Sequence, residues 1–190
     1  YIKDDHELNQ HLLTLALDGA VLTPKTGAAA IEGAALGEMA RSYLTSEAII
    51  GRLADFIDSG LLHVLLARDI VLDLADQAAA ADSANRLGEY MPKGLRIAAE
   101  RNPKTESWRL RIEKLRHGNL RIGYLDDEFL RSGDYAQIRK TAQMIAGLID
   151  TGASIRRGEK SQPVTSFADA MAWLLAEVER GLTKQRYKGL

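Results

Sequence analysis

The stretch Trp108-Arg109-Leu110-Arg111-Ile112, then His117-Gly118-Asn119, then Leu120-Arg121-Ile122-Gly123-Tyr124 decides the reading of this chain. Apolar residues alternate with charged ones on both sides of the glycine, which is the period-two pattern of half-buried strands. The tripeptide His117-Gly118-Asn119 supplies the turn of a hairpin. Leu95, Arg96 and Ile97 predict a third strand beside it. In this arrangement Arg109 and Arg111 project from the side opposite Trp108, with Arg121 and Arg96 on that same side of the neighbouring strands. Like charges facing each other across a sheet are mildly destabilising, so the pattern points to an anionic partner. Double-stranded DNA fits, because a guanidinium fork matches phosphate geometry. A solvated face neutralised by Glu100, Glu106 and Glu113 explains the same pattern, and the residues alone leave both open.

Upstream, the composition turns to Ala, Leu, Ile and acidic residues from Ala28 to about Tyr90, without proline after Pro24 until Pro92. Ala34, Met39, Tyr43, Leu44, Ile49, Ile50, Leu53, Phe56 and Ile57 recur at helical spacing. Breaks at Gly60 and at Asp69–Asp73 predict about three helices, and Ala78–Ala81 has the highest helix propensity in the chain. Before this segment, Tyr1–Asp4 reads as a strand, Asp4 or Asp5 as a helix cap, and Leu8, Leu12, Leu13 and Leu15–Leu17 as a helical stripe ending near Gly19. Ala20–Thr23 is extended.

Downstream, Asp126–Leu130 reads as a helical turn and Asp134–Ile149 as a helix. Ser154–Arg157 and Gln162–Val164 read as short strands. Ser166 with Asp169 resembles a capping box opening a helix through Trp173 to Gly181, and Leu182–Lys188 reads as an extended basic tail. The fold class is therefore α+β, a helical subdomain plus a mixed α/β portion with a small antiparallel sheet. Its expected parts are 1–27, a helical 28–92, a basic β region 93–124 and an α/β segment 125–190.

The 190 residues are 46% hydrophobic and 27% charged, enough for one substantial core or two small ones. No cysteine is present, so disulfides and thiolate metal sites are excluded, and a cytoplasmic location fits. No apolar run approaches the roughly 18 residues of a membrane helix, so no membrane partner is expected. The formal net charge of −1 hides an uneven spread: residues 1–92 hold 6 Lys/Arg against 14 Asp/Glu, whereas 93–121 hold 9 against 3. A basic block after an acidic half again favours an anionic partner.

Catalytic signatures are missing. Gly27, Gly33 and Gly37 lie in an alanine-rich stretch without the lysine of a phosphate loop. His6, His11, His63 and His117 do not share ligand spacing. The carboxylate groups Asp4-Asp5-Glu7 and Asp126-Asp127-Glu128 could hold Mg²⁺, but both fall at helix starts, where acidic side chains favour the dipole. Neither a catalytic nor a metal-binding set is expected, and no cofactor of the chain's own.

The terminal Gln185-Arg186-Tyr187-Lys188-Gly189-Leu190 resembles a signature of bacterial gyrase B subunits near the end of their TOPRIM domain. It follows Ile155-Arg156-Arg157-Gly158-Glu159-Lys160 and the helix through Trp173-Leu174 in the family's order. Leu125-Asp126-Asp127-Glu128-Phe129, Ser132-Gly133-Asp134-Tyr135, Tyr1-Ile2-Lys3-Asp4-Asp5 and Ala16-Leu17-Asp18-Gly19-Ala20 are similar to family segments as well. Residues 28–92 match in position and character, and with the basic hairpin of 93–124 they occupy the place of the insert that Gram-negative gyrase B subunits carry within TOPRIM. The resemblance implies a piece of a type IIA topoisomerase, with residues 1–27 flanking TOPRIM. Such an enzyme supercoils DNA with ATP and Mg²⁺ in an A₂B₂ heterotetramer with the gyrase A subunit. Its catalytic glutamate and Asp-x-Asp pair would lie outside this chain, so the fragment alone is expected to be inactive. It also implies that Arg186, Tyr187 and Lys188 lie near the DNA backbone. Two alternatives stay open: a topoisomerase IV-type fragment, and a free-standing protein–protein interaction module.

Overall fold

A computed structural model describes the backbone of residues 5–188 and the side chains of residues 6–185. In chain order the elements are α1 (Asp5–Ala16), β1 (Ala20–Thr23), β2 (Ile31–Glu32), α2 (Gly33–Leu53), α3 (Ser59–Ala67) and α4 (Gln77–Gly88). Then come β3 (Leu95–Arg101), β4 (Trp108–Arg116), β5 (Asn119–Leu125), α5 (Asp127–Leu130), α6 (Gly133–Ile145), β6 (Ser154–Arg157), β7 (Lys160–Pro163) and α7 (Phe167–Lys188). Among the described residues, seven helices and two small antiparallel sheets make this an α+β fold, as expected. The expected strand Tyr1–Asp4 lies outside the described residues.

The elements form two compact units, one built from residues 1–45 with 144–190, the other from residues 46–143. In the first, the sheet runs β2-β1-β6-β7. Helix α1 packs on α7, and α7 on β6. Leu12, Leu13, Leu22, Leu36, Ile155, Phe167, Met171 and Leu174 fill the core, and Tyr43 meets Phe167 edge-on with centroids 5.5 Å apart. The expected cap of α7 is present: Ser166 Oγ accepts from Asp169 N at 3.0 Å, while the Asp169 carboxylate accepts from Thr165 N at 3.2 Å. Buried Glu177 is held between Lys160, at 3.2 Å, and Arg180. Burial is the largest influence on its carboxyl and pushes the pKa up, yet the two cations together bring it below the usual value.

The same helix corrects one expectation. It does not stop near Gly181, and Leu182–Lys188 is not extended, because α7 runs through Lys188. Basic composition does not end a helix; Leu, Lys, Gln and Arg are among the better helix formers, and one glycine costs only about 1 kcal/mol against alanine.

The second unit starts with the last turns of α2. A five-residue link, 54–58, precedes α3, so the expected break at Gly60 is displaced: Gly60 lies inside α3, and Asp58 is the N-cap, its carboxylate accepting from Leu61 N at 3.0 Å. Asp76 caps α4 in the same way, at 2.8 Å from Ala79 N. The small side chains of Ala80 and Ala84 are buried where α4 packs against β3 and β4. The core comprises Leu61, Leu62, Leu65, Leu66, Leu87, Leu110, Ile112, Leu125 and Ile138. Helix α6 ends at Ile145, short of the expected Ile149. At the unit's two ends, Ser46 and Thr141 hydroxyls hydrogen-bond at 2.8 Å.

Candidate nucleic-acid interface

The basic sheet has the strand order β3-β4-β5. Its hairpin turn has two residues, His117 and Gly118, because Arg116 pairs directly with Asn119. Both turn residues have positive φ, 51° and 79°. That is the requirement of a type I′ turn, whose twist suits the flanking strands and which glycine meets without strain.

This turn sets which side chains share a face. Residues directly opposite one another lie on the same side, so Arg96, Glu113 and Ile122 go together, as do Arg111 with Tyr124 and Glu100 with Arg109. Arg121 pairs with Lys114 and so lies on the other face, with Leu110, Ile112 and Leu125. The expected placement of Arg121 beside Arg109 and Arg111 is therefore corrected, while that of Arg96 holds. A three-residue turn would have put Arg121 there; one residue less moves every β5 side chain across the sheet. The apolar Leu120, Ile122 and Tyr124, at 54%, 41% and 37% exposure, thus lie on the arginine face instead of in the core.

On that face, Arg109 and Arg111 are already engaged. Arg109 approaches Glu100 at 2.8 Å and stacks over the Tyr124 ring, 3.8 Å from its centroid. Arg111 pairs with Glu113 at 2.8 Å and lies 3.9 Å from Glu100. Both arginines are half-buried. Glu106 takes no part in this pairing; it sits in the β3–β4 turn at φ 59°.

A group of exposed cations lies nearer the hairpin tip, while Arg101, which donates to the Glu106 backbone carbonyl, and Lys104 are exposed at the other end of the sheet. Lys93, Arg96, Arg116 and Arg121 are exposed, and among the described residues none of them has a carboxylate partner. Arg121 donates only to the Asp55 backbone carbonyl, at 3.3 Å. Lys114 is different, held by Asp58 at 2.8 Å. Lys93 and Arg116 belong to the basic block evident in the sequence, but strand alternation gave no reason to single them out.

The base of the hairpin is fixed by a close backbone approach. A Cβ at Gly123 would lie 2.6 Å from the Phe56 carbonyl oxygen, so only glycine lets the 54–58 link lie against β5. The link and the strand frame a cleft of about 480 Å³ lined in part by Asp55, Phe56, Lys114 and Arg121. A second cleft, about 640 Å³, lies between the β3–β4 turn and Asp126–Arg131. There the Asp126 carboxylate accepts from Phe129 N at 2.9 Å, and Asp127 pairs with Arg131 at 3.4 Å. These acidic residues are thus used in starting α5. Arg186, Tyr187 and Lys188 occupy the last turn of α7, and their side chains lie outside the described residues.

The chain is 27% identical over all its 190 residues to the DNA gyrase B subunit of Caulobacter vibrioides, strain NA1000 / CB15N, and equally to that of strain ATCC 19089 / CIP 103742 / CB 15. It spans 23% of the length of these relatives. The family described as the DNA gyrase B subunit insert domain matches residues 20–178, which include both sheets but neither α1 nor the end of α7. The chain belongs to the DNA gyrase B subunit insert domain family.

Proposed function

We propose that this chain is an architectural, DNA-contacting part of a gyrase-type B subunit, without the groups that break DNA or hydrolyse ATP. The observation that carries the reading is the cluster of uncommitted cations, Lys93, Arg96, Arg116 and Arg121, around one hairpin tip. Exposed cations that no carboxylate holds are available to phosphates, and phosphate contacts position a protein on a duplex without reading its sequence. Arg109 and Arg111 contribute mainly by bracing the sheet, since a phosphate would first have to displace Glu100 and Glu113. Arg186, Tyr187 and Lys188 form a second contact in the intact enzyme. The parent would supply Mg²⁺, ATP and the gyrase A subunit within an A₂B₂ assembly in the cytoplasm.

Salt dependence tests this. Each phosphate neutralised on B-DNA contributes roughly −0.9 to the slope of log Kobs against log salt. Retention of the 190-residue chain on duplex DNA should show a slope of about −3 to −4. The double change Arg116→Glu and Arg121→Glu should remove about 2 from its magnitude. A flat salt profile, or a slope untouched by that change, would refute the reading.

A further inference from the structure

The hairpin tip carries more than charge. Strand β3 makes its last pair with β4 at Leu95↔Lys114, but β4 and β5 continue together through Leu115↔Leu120 and Arg116↔Asn119. Gly94 O still accepts from Leu115 N at 3.3 Å, so the chain leading into β3 follows β4 as far as Leu115, and Arg116↔Asn119 with the His117-Gly118 turn projects beyond it as a two-stranded tip. On one side of the β4–β5 ribbon Leu115 and Leu120 stand directly opposite each other, 64% and 54% exposed. Ile122 and Tyr124 extend this apolar row along β5, the edge strand. Arg116 and Arg121 lie on the reverse side of the ribbon, and Arg96 and Lys93 lie at its root.

A purely electrostatic contact has no use for a solvent-exposed leucine pair, and a purely apolar one has none for the cations around it. Duplex DNA offers both chemistries in one place, two phosphate rails with stacked bases between them. Paired strands lie about 4.8 Å apart, and with side chains they are too wide for a minor groove of about 6 Å unless that groove opens. Apolar side chains entering a base step provide the opening: they unstack the step and kink the duplex by about 20–90° toward the major groove.

We infer that the Leu115–Leu120 pair is a wedge that enters the minor groove and bends duplex DNA, while Arg116, Arg121, Arg96 and Lys93 grip the flanking phosphates. This rests on the DNA-contacting reading above and adds to it the mode of contact. The leucines act on DNA shape and the cations on affinity, so the two classes of variant separate.

The test uses the 190-residue chain and a 30-base-pair duplex carrying a donor and an acceptor dye at its ends. The unchanged chain should raise energy transfer on binding. The pair Leu115→Ser and Leu120→Ser, both exposed and so without cost to the core, should bind within about threefold of the unchanged affinity yet lose the bend. The pair Arg116→Glu and Arg121→Glu should weaken binding by at least about tenfold. Binding without a bend, or a bend that survives loss of both leucines, overturns the wedge but leaves the DNA-contacting reading intact. No binding by the unchanged chain overturns both. Equal binding to polyglutamate at the same salt would identify the surface as a dock for an acidic protein and overturn the wedge too.

Discussion

His63 is held by acceptors at both ring nitrogens. Nδ1 lies 2.8 Å from the Ser59 carbonyl, and Nε2 lies 2.8 Å from a Glu47 carboxylate oxygen. A neutral imidazole has one N–H and cannot donate to both, so the arrangement favours the imidazolium. The approach to Glu47 is close but off-axis, so the attraction is one of charge more than direction. The pKa is raised above 6.5, chiefly by this contact with Glu47, against a lowering from burial; Ser59 and nearby Asp58 add to the rise. A raised folded pKa means that the stabilisation is fully present below the unfolded value near 6.5, and is lost as pH rises through the higher folded value. The midpoint of thermal unfolding should therefore fall between about pH 6 and 8 more steeply for the unchanged chain than for His63→Gln. Identical slopes would show that His63 is not a source of the pH dependence.

At the scale of elements, the hairpin shows what the sequence made legible. The strands other than β2, which lies in the stretch read as helical, the three central helices, the caps at Asp126 and Ser166 and the α+β class follow from periodicity and turn chemistry. The facing of β5 does not, because it depends on whether the turn holds two residues or three, and His117-Gly118-Asn119 permits either. Only the backbone distinguishes them, with positive φ at His117 and Gly118. Pairing partners were equally hidden: Glu100 and Glu113 sit among the arginines in the sequence, but only the register shows them taking up Arg109 and Arg111. The end of α7 was misread for a different reason, since a basic run and a glycine look like a terminus although neither forbids a helix. The register also makes a prediction about the hairpin. Gly123→Ala would set a methyl 2.6 Å from the Phe56 carbonyl oxygen, a clash with backbone that no rotamer change relieves. Overpacking of this kind costs about 1–3 kcal/mol. Gly51→Ala, a helical position with open space, should be neutral or mildly stabilising. Denaturant titration of both variants checks this; equal stabilities would mean that the 54–58 link does not press on β5.

At the scale of the molecule, residues 46–143 carry 15 Lys/Arg against 15 Asp/Glu, so the unit that holds the hairpin is neutral as a whole. Any attraction to DNA must then come from local arrangement, such as the cations gathered near the hairpin tip. This neutrality makes the location of binding testable. The unit's core is built from its own residues, and Ser46 and Thr141 bring its two ends within a hydrogen bond, 2.8 Å. Residues 46–143 expressed alone should therefore unfold in one cooperative transition. If the hairpin tip dominates, this piece should keep most of the salt slope of the 190-residue chain despite its zero net charge. If Arg186, Tyr187 and Lys188 dominate, the slope should collapse once they are removed. Side-by-side measurement of the two slopes decides between the contacts, and a collapse in a piece still folded by circular dichroism would move the DNA contact from the hairpin to the end of α7.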